Sequence, residues 1–389
     1  MRLSKVFCFF LSRRSRSLSG TRSTVPPTTL SQPNISSNAS DADGESLDLP
    51  PEQGGGYYPV VCGQTLQERY TVLRKLGQGG YSSVWLTSDT VSEQFVALKI
   101  ETIYAEQLIR SKTLESEVAL LERIRSVRSN HPGRAHIAPL LDHFTLDGPH
   151  GTHTCLTFPV LGPTLIGLLR TLKTKAVPYN LKPSNVAVVL DNMDDLLRSQ
   201  LSETSSLPNL QLKIPNSWTS AEMSVQLLDF GSANFLDDKR TDNIQPYNLR
   251  APEVFIRAGW SQSVDIWNLG CLVFEMITGK ILFRPRADKQ GVLTKDVDML
   301  SQMAEYLDEG WPPDLLAKGE RTHEYFDQQG RLKNVSGDIE LRLHDILDLL
   351  RVKPDDRPHL EHFLKLMLHL QPAERATASQ LLNHPWLSL

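Results

Sequence analysis

The sequence is poor in cysteine and contains no long apolar run, and both absences narrow the class of protein. Only four cysteines occur among 389 residues, and they lie far apart without forming a CxxC pair. Such spacing argues against a disulfide framework or a zinc site and favours a reducing compartment. The longest apolar run near the start, residues 6–11, is too short to span a bilayer, which takes about 20 apolar residues.

Acidic side chains are absent from the first 40 residues, which carry six basic ones. The rest of the chain therefore holds 35 basic against 45 acidic residues, a net charge of −10. This charge disfavours nucleic acid as the main partner and fits a cationic partner such as a basic peptide; a merely solvated acidic surface fits it equally well. The 40% apolar and 22% charged fractions exclude a fully disordered chain. The length suits about two to three domains or one two-lobed enzyme.

Residues 1–56 are predicted to form a disordered tail. From residue 12 the tail is rich in Ser, Thr, Pro, Asn and Gly with little apolar periodicity, and it ends in a flexible Gly-Gly-Gly step at 54–56. Its first 25 residues are rich in arginine and serine, a composition typical of a mitochondrial targeting segment and equally of many basic disordered N-termini. The folded part is therefore expected to start at residue 57.

Strand patterns come first along the folded part, and helical patterns follow. Segments rich in Val, Leu, Tyr and Trp predict strands at 70–76, 83–87 and 94–101. Apolar periodicity predicts helices at 113–128, 264–278, 297–307, 341–349, 360–370 and 377–383. This order predicts an α+β protein with a small β-rich lobe over residues 57–162 and a larger helical lobe over residues 163–389.

A glycine-rich turn, Gly-Gln-Gly-Gly at residues 77–80, lies between the first two predicted strands. Glycines in such a turn let backbone N–H groups approach phosphates without a Cβ clash, although glycine-rich hairpins are also common without a ligand. The third predicted strand contains Lys99, whose burial would be costly without an anionic partner. Glu117, in the helix that follows, is the predicted partner.

Four short motifs follow between residues 181 and 267. They are Leu-Lys-Pro-Ser-Asn at 181–185, Asp-Phe-Gly at 229–231, Ala-Pro-Glu at 251–253 and Asp-Ile-Trp at 265–267. Each alone is at chance level, but their order, together with the glycine-rich turn and Lys99, resembles the eukaryotic protein-kinase domain. The resemblance implies a two-lobed protein-kinase-like fold that uses ATP and Mg²⁺.

The resemblance also implies roles for individual residues. Asp229 and Asn185 would hold magnesium, and Lys182 would meet the transferred phosphoryl group. Arg375 would pair with Glu253. Positions matching the family's nucleotide-binding residues are Leu76, Gly77, Gln78, Gly79, Gly80, Val84, Ala97, Lys99, Glu117, Phe158, Val160 and Leu161.

The resemblance is closer to the SR-protein kinases, a family of serine/threonine kinases, and covers residues 56–389. Similar stretches are Tyr-Tyr-Pro-Val at 57–60, Val-Leu-Gly-Pro at 160–163, Gly-Arg-Leu-Lys at 330–333 and His-Pro-Trp at 384–386. That family phosphorylates serines in Arg/Ser-rich proteins and thereby regulates mRNA splicing. It implies a monomer in the cytoplasm and nucleus, with neither direct nucleic-acid binding nor a membrane span.

An acidic groove docks Arg/Ser-rich peptides in that family, and Asp298 and Glu305 match its docking positions. Because they are seven residues apart, they would share one helix face at a separation of about 10 Å. This separation suits successive arginines of an extended peptide. A solvated acidic helix face would show the same pattern.

The segment between the Asp-Phe-Gly and Ala-Pro-Glu motifs is short, and no arginine precedes Asn180 to pair with a phosphate. We therefore predict that phosphorylation of this segment, for example at Thr241, does not switch activity. The polar stretch 191–226 is predicted to be a mostly flexible insert, since the family inserts sequence at this point.

One departure from the family pattern concerns the catalytic loop. Where the family has His-x-Asp, this chain has Pro178, Tyr179 and Asn180. The neutral amide of Asn180 can orient a substrate hydroxyl but cannot take its proton. A positioned general base typically contributes about 10²–10⁴-fold to the rate, so ATP binding is expected to survive better than turnover.

A second departure is a missing helix. Only 17 residues separate Gly162 from Asn180, too few for the long helix that family members place there. Its loss is expected to leave the apolar face of residues 264–278 under-packed. A lost exon, real or in gene prediction, would explain both departures. So would a genuine pseudokinase that binds ATP and docks basic peptides with little or no phosphoryl transfer.

Overall fold

The computed structural model describes residues 55–127, 131–162, 164, 185–190, 193–203, 224–235, 237–288, 292–335 and 341–387. The first part is a six-stranded antiparallel sheet with two helices, and the second part is mainly helical. The predicted α+β class and two-lobed fold are confirmed.

The sheet presents one apolar face and one face that carries the lysine. Its strands are β1 (Thr65–Leu66), β2 (Tyr70–Gly79), β3 (Ser82–Asp89), β4 (Phe95–Glu101), β5 (Asp142–Gly148) and β6 (Gly151–Pro159), in the spatial order β1-β2-β3-β4-β6-β5. Successive side chains of a strand point to opposite faces. One face buries Tyr70, Val72, Trp85, Leu98, Ile100 and Cys155. Lys99 lies on the other face, between Val84 of β3 and Leu156 of β6.

Two short helices follow β4, and each begins at a hydroxyl residue. The hydroxyl of Thr102 caps α1 (Ile103–Arg110) and that of Ser116 caps α2 (Glu117–Ser126), each accepting a backbone N–H of the first turn. Such caps satisfy N–H groups that have no partner inside the helix. The predicted helix 113–128 therefore begins four residues too early and ends two residues too late. Helix α1 was missed although its sequence, Ile-Tyr-Ala-Glu-Gln-Leu-Ile-Arg, is amphipathic; two of its eight residues, Ile103 and Ala105, are buried.

A helix of the polar insert packs against the sheet. Strands β7 (Val186–Val189) and β8 (Ser224–Leu227) pair antiparallel, and α3 (Met193–Glu203) follows β7. Met193 and Leu197 are 6% and 1% exposed and pack in a cluster with Leu86, Leu76 and Val160.

Polar contacts also fix α3 to the first residue of β4, Phe95. Asp194 Oδ1 accepts the Phe95 N–H at 2.8 Å, and the Arg198 guanidinium lies 5.3 Å from the centre of the Phe95 ring. The prediction of a mostly flexible insert at 191–226 was wrong for residues 193–203. The apolar residues Met193, Leu196, Leu197 and Leu201 follow the i, i+3, i+4, i+8 spacing of an amphipathic helix, a signal that was overlooked.

The second part packs around one long helix. Its helices are α4 (Pro252–Phe255), α5 (Ser263–Thr278), α6 (Lys295–Leu307), α7 (Pro313–Lys318), α8 (Thr322–Tyr325), α9 (Leu343–Leu349), α10 (Arg357–Lys365) and α11 (Ala378–Leu381). The predicted helix 360–370 thus begins and ends earlier than expected. A Cβ at Gly270 of α5 would lie 2.7 Å from Leu368 Cγ, so a glycine is needed for this close approach.

Helix α5 does not show the under-packed apolar face that the missing helix predicted. Its residues Trp267, Leu272, Phe274 and Met276 are at most 4% exposed. Within the described part of the chain, three side-chain atoms of α5 are buried without a hydrogen-bond partner. They are Trp267 Nε1, Asn268 Oδ1 and Glu275 Oε1. Burial raises the pKa of Glu275 to about 8, which keeps its carboxyl mostly protonated at neutral pH.

The folded part starts slightly before the predicted boundary at residue 57. Gly55 and Gly56 are buried, and the Gly56 carbonyl accepts the Ile103 N–H at 3.0 Å. The flexible step predicted at 54–56 was therefore wrong for its last two glycines. The predicted targeting segment lies outside the described residues. Among the helices that the structure describes, none is long and apolar enough to cross a membrane.

Candidate active site

Lys99, Glu117 and Asp229 meet at one point between the sheet and the second part of the chain. Lys99 Nζ lies 2.5 Å from Glu117 Oε2 and 2.9 Å from Asp229 Oδ1. Burial alone would lower the pKa of Lys99, but the two carboxylates outweigh burial and raise that pKa above its ordinary value. The ammonium group is therefore held charged, and the predicted pairing of Lys99 with Glu117 is present.

Glu117 links three elements through its two oxygens. While Oε2 accepts from Lys99, Oε1 accepts the Phe230 N–H at 2.9 Å, and the side chain is 1% exposed. Asp229 has a φ of 62°, the left-handed conformation, which is uncommon for a residue with a side chain. A Cβ at position 231 would lie 3.4 Å from both Asp229 Oδ1 and Glu117 Oε2, which is ordinary contact, so Gly231 lies directly beside the cluster.

Asn185 and Asp229 are brought to the same end of the β7–β8 pair. Val186 pairs with Leu227, and the Leu228 N–H donates to the Asn185 carbonyl at 2.7 Å. The Asp229 side chain is 46% exposed and can therefore reach a ligand. Carboxylate and amide oxygens are ligands that Mg²⁺ accepts, so the chemistry of this donor set fits the ion.

The glycine-rich turn joins β2 to β3 near Lys99: Gly77 pairs with Val84, which pairs with Lys99. A Cβ added at Gly77, Gly79 or Gly80 would meet no heavy atom within 4 Å, so the space beside this backbone is open. One tether that the sequence did not predict lies here: the Tyr57 hydroxyl donates to the Gly79 carbonyl at 2.7 Å. The Tyr-Tyr-Pro-Val stretch before the first strand was the available signal for it.

An accessible apolar surface lies beside Lys99. Val84 pairs with Lys99, and Ala97 with Phe158, so the side chains of these four residues share one face of the sheet. The predicted nucleotide-binding residues that are half-buried on this side are Leu76, Val84, Ala97, Phe158, Val160 and Leu161. Gln78, which is exposed, accepts a hydrogen bond from Lys75 at 2.5 Å.

Comparisons with known proteins agree with this arrangement. The family model described as "Protein kinase domain" matches residues 210–387. A serine/threonine protein kinase of Aspergillus fumigatus is 30% identical over 366 residues, which cover 87% of this chain and 89% of the relative. The chain belongs to the serine/threonine protein kinases.

Further relatives place this kinase near the SR-protein kinases. The serine/threonine-protein kinase SRPK of Physarum polycephalum is 30% identical, with 86% of this chain and 89% of the relative covered. Protein kinase dsk1 of Schizosaccharomyces pombe is 26% identical, with 86% and 83% covered. The resemblance to the SRPK family is confirmed, and protein kinases in general use ATP and Mg²⁺.

The other predicted site residues of the kinase fall in three places. Asn180 and Lys182 lie outside the described residues. Asp298 and Glu305 both lie on α6, where Asp298 Oδ2 accepts the Arg286 N–H at 2.6 Å and Glu305 accepts the Ser301 hydroxyl. The predicted pair of Arg375 and Glu253 is confirmed, with two nitrogen–oxygen distances of 2.7 Å.

Proposed function

We propose that this kinase binds Mg·ATP beside Lys99 and transfers the γ-phosphate to serines flanked by arginines in Arg/Ser-rich proteins. The observation that carries the proposal is the three-way contact of Lys99, Glu117 and Asp229. It places one fixed cation and one exposed carboxylate next to an open glycine-rich turn. These are the elements that position a chelated triphosphate.

Each of the site residues has a distinct task in this proposal. Lys99 neutralises the α- and β-phosphates, and Glu117 keeps the Lys99 ammonium in place. Asp229 and Asn185 hold Mg²⁺, which when bound offsets the negative charge of the phosphates. Lys182 contacts the γ-phosphate, and Asn180 orients the serine hydroxyl without removing its proton.

Replacing Lys99 with methionine tests the nucleotide site. The Kd of Mg·ATP is expected to rise about 10- to 100-fold, because hydrogen bonds to charged groups contribute about 1.5–3 kcal/mol. Isothermal titration of the full chain with Mg·ATP measures the change, and a thermal melt shows whether the variant is folded. The exposed Lys353, replaced by methionine, is the matched control and should bind as the unmodified chain does. A folded chain without magnesium-dependent ATP affinity would refute the proposal.

A second function is favoured by the asparagine at position 180. Without the aspartate that accepts the hydroxyl proton, the chain would bind ATP and hold basic peptides as a pseudokinase with little transfer. ATP binding supports both functions, so only the rate of transfer separates them.

The substrate preference rests on Asp298 and Glu305. Replacing them together by asparagine and glutamine removes both charges but keeps oxygens that accept from Arg286 and Ser301. The Kd of an Arg/Ser peptide is expected to rise about 5- to 30-fold, since each exposed ion pair contributes up to about 1 kcal/mol. The double variant Asp314→Asn/Glu320→Gln changes the same charge at exposed positions and is the control. Equal peptide affinity in all three proteins would refute this docking site.

By resemblance to the SR-protein kinases, we also propose that this protein is a monomer and resides in the cytoplasm and nucleus. Fluorescent fusions of the full chain and of residues 55–389 would show whether residues 1–54 direct the protein to mitochondria. Light scattering of the purified chain would measure its mass.

A further inference from the structure

One arginine joins the segment after the Asp-Phe-Gly motif to the start of helix α2. Arg240 Nε donates to Glu115 Oε2 at 2.8 Å, and Arg240 Nη2 lies 2.7 Å from the same oxygen. Arg240 Nη2 also lies 2.8 Å from Asp238 Oδ2. The side chains of Arg240 and Glu115 are only 18% and 11% exposed, so solvent screens this pair less than an open surface pair.

Glu115 is placed where it can control the position of Glu117. Its Oε1 accepts the Ser116 N–H at 3.3 Å, and Ser116 is the residue that caps α2. Glu117 is the first residue of that helix. A movement of this helix end away from Arg240 would therefore also pull the Glu117 carboxylate away from Lys99.

The residues on either side of Arg240 are anchored to the second part of the chain. Lys239 Nζ donates to the Trp260 carbonyl and lies 4.9 Å from the centre of the Trp260 ring. Trp260 Nε1 donates to the Thr241 carbonyl at 3.3 Å. The Arg240 N–H donates to Asn234 Oδ1 at 2.9 Å. Arg240 thus extends from a fixed segment toward α2.

We propose that Arg240 is a positioning residue for the nucleotide site. Its ion pair with Glu115 holds α2 where Glu117 contacts both Lys99 and the Phe230 N–H. Because the Arg240 side chain already supplies the charge for this ion pair, the segment after the Asp-Phe-Gly motif needs no added phosphate to be linked to α2. The effect on α2 follows from the contacts alone, whereas the effect on ATP binding rests on the proposed function.

Charge reversal in the full chain tests the proposal. Arg240→Glu and Glu115→Arg each place like charges together. The double variant restores an opposite pair, but its carboxylate at position 240 then lies beside Asp238, which contacts Arg240 in the unmodified chain. Each single variant is expected to speed amide hydrogen exchange along residues 117–126, without nucleotide, by about 5- to 150-fold, the usual range for coupled sites. The Kd of Mg·ATP should rise within the same range. The double variant should recover part of both losses, because Asp238 opposes the reversed pair and the Ser116 N–H loses the Glu115 oxygen.

Arg331→Glu is the matched control, because it reverses the charge of an arginine in another ion pair, with Asp327. The Arg331 side chain is 75% exposed. It should leave exchange in residues 117–126 unchanged. The proposal is overturned if the folded single variants exchange like the unmodified chain, or if the double variant stays as fast as the single ones. If the unmodified chain lacks ATP affinity, the proposed function fails, but the exchange comparison still decides the role of Arg240.

Discussion

Replacing Asn180 with aspartate is expected to increase phosphoryl transfer to an Arg/Ser peptide by about 10²–10⁴-fold, the usual contribution of a general base. The reason is chemical: an aspartate can accept the proton of the serine hydroxyl, whereas the asparagine amide cannot. Because Asn180 lies outside the described residues, this prediction rests on its place in the Leu-Lys-Pro-Ser-Asn context. A radiolabel transfer assay with Mg·ATP measures both chains.

Controls separate the explanations for the asparagine. Asn180→Leu has neither acid nor amide and should be no more active than the unmodified chain. Adding Asp229→Asn to the Asn180→Asp variant should abolish the gain if the transfer depends on the proposed metal site. Comparable, robust transfer by the asparagine and aspartate chains would rule out the pseudokinase. Absence of transfer from both would point to the missing helix, and sequencing the transcript around codon 177 would test a lost exon.

Removing Arg375 is expected to destabilise the second part by about 3–5 kcal/mol, because it leaves a buried carboxylate without a partner. The guanidinium meets Glu253 in a fork with two distances of 2.7 Å, and the two side chains are 0% and 1% exposed. It also donates to the carbonyls of Ser263 and His369, each at 3.0 Å. For Arg375→Met, the unfolding midpoint should fall by roughly 6–20 °C in a thermal melt.

An exposed pair provides the comparison for Arg375. Arg331→Met removes the ion pair between Arg331 and Asp327. The Arg331 side chain is 75% exposed, and exposed pairs contribute at most about 1 kcal/mol. In the double variant Arg375→Met/Glu253→Gln, part of the lost stability should return, because the neutral amide is less costly to bury than an unpaired carboxylate. If Arg375→Met costs no more than Arg331→Met, the buried fork is not a major contributor to stability.

Much of the candidate site could be predicted because its parts carry local patterns. The apolar run of β4 predicted a strand that buries Lys99, and the need of a buried cation for an anion singled out Glu117. The Asp-Phe-Gly motif supplied Asp229. The structure brings these three residues into contact. Their roles in binding nucleotide and metal remain predictions.

Other parts were not predicted, for different reasons. The apolar spacing of helix α3 was overlooked, and only the facing sheet reveals that Met193 and Leu197 are its buried residues. The expected gap beside α5 was wrong for a related reason. Whether an apolar face is covered depends on every element packed around it, and no spacing along the chain reports that.

The sequence by itself indicated strands β2 to β4, the main helices of the second part and the order of the motifs, because periodicity acts between residues close in the chain. Tertiary structure alone decided that Arg240 meets Glu115, 125 residues away, and that Tyr57 holds the Gly79 carbonyl. Such pairs leave no mark in local spacing. They form only when burial of the apolar faces has already brought distant segments together and fixed their distance.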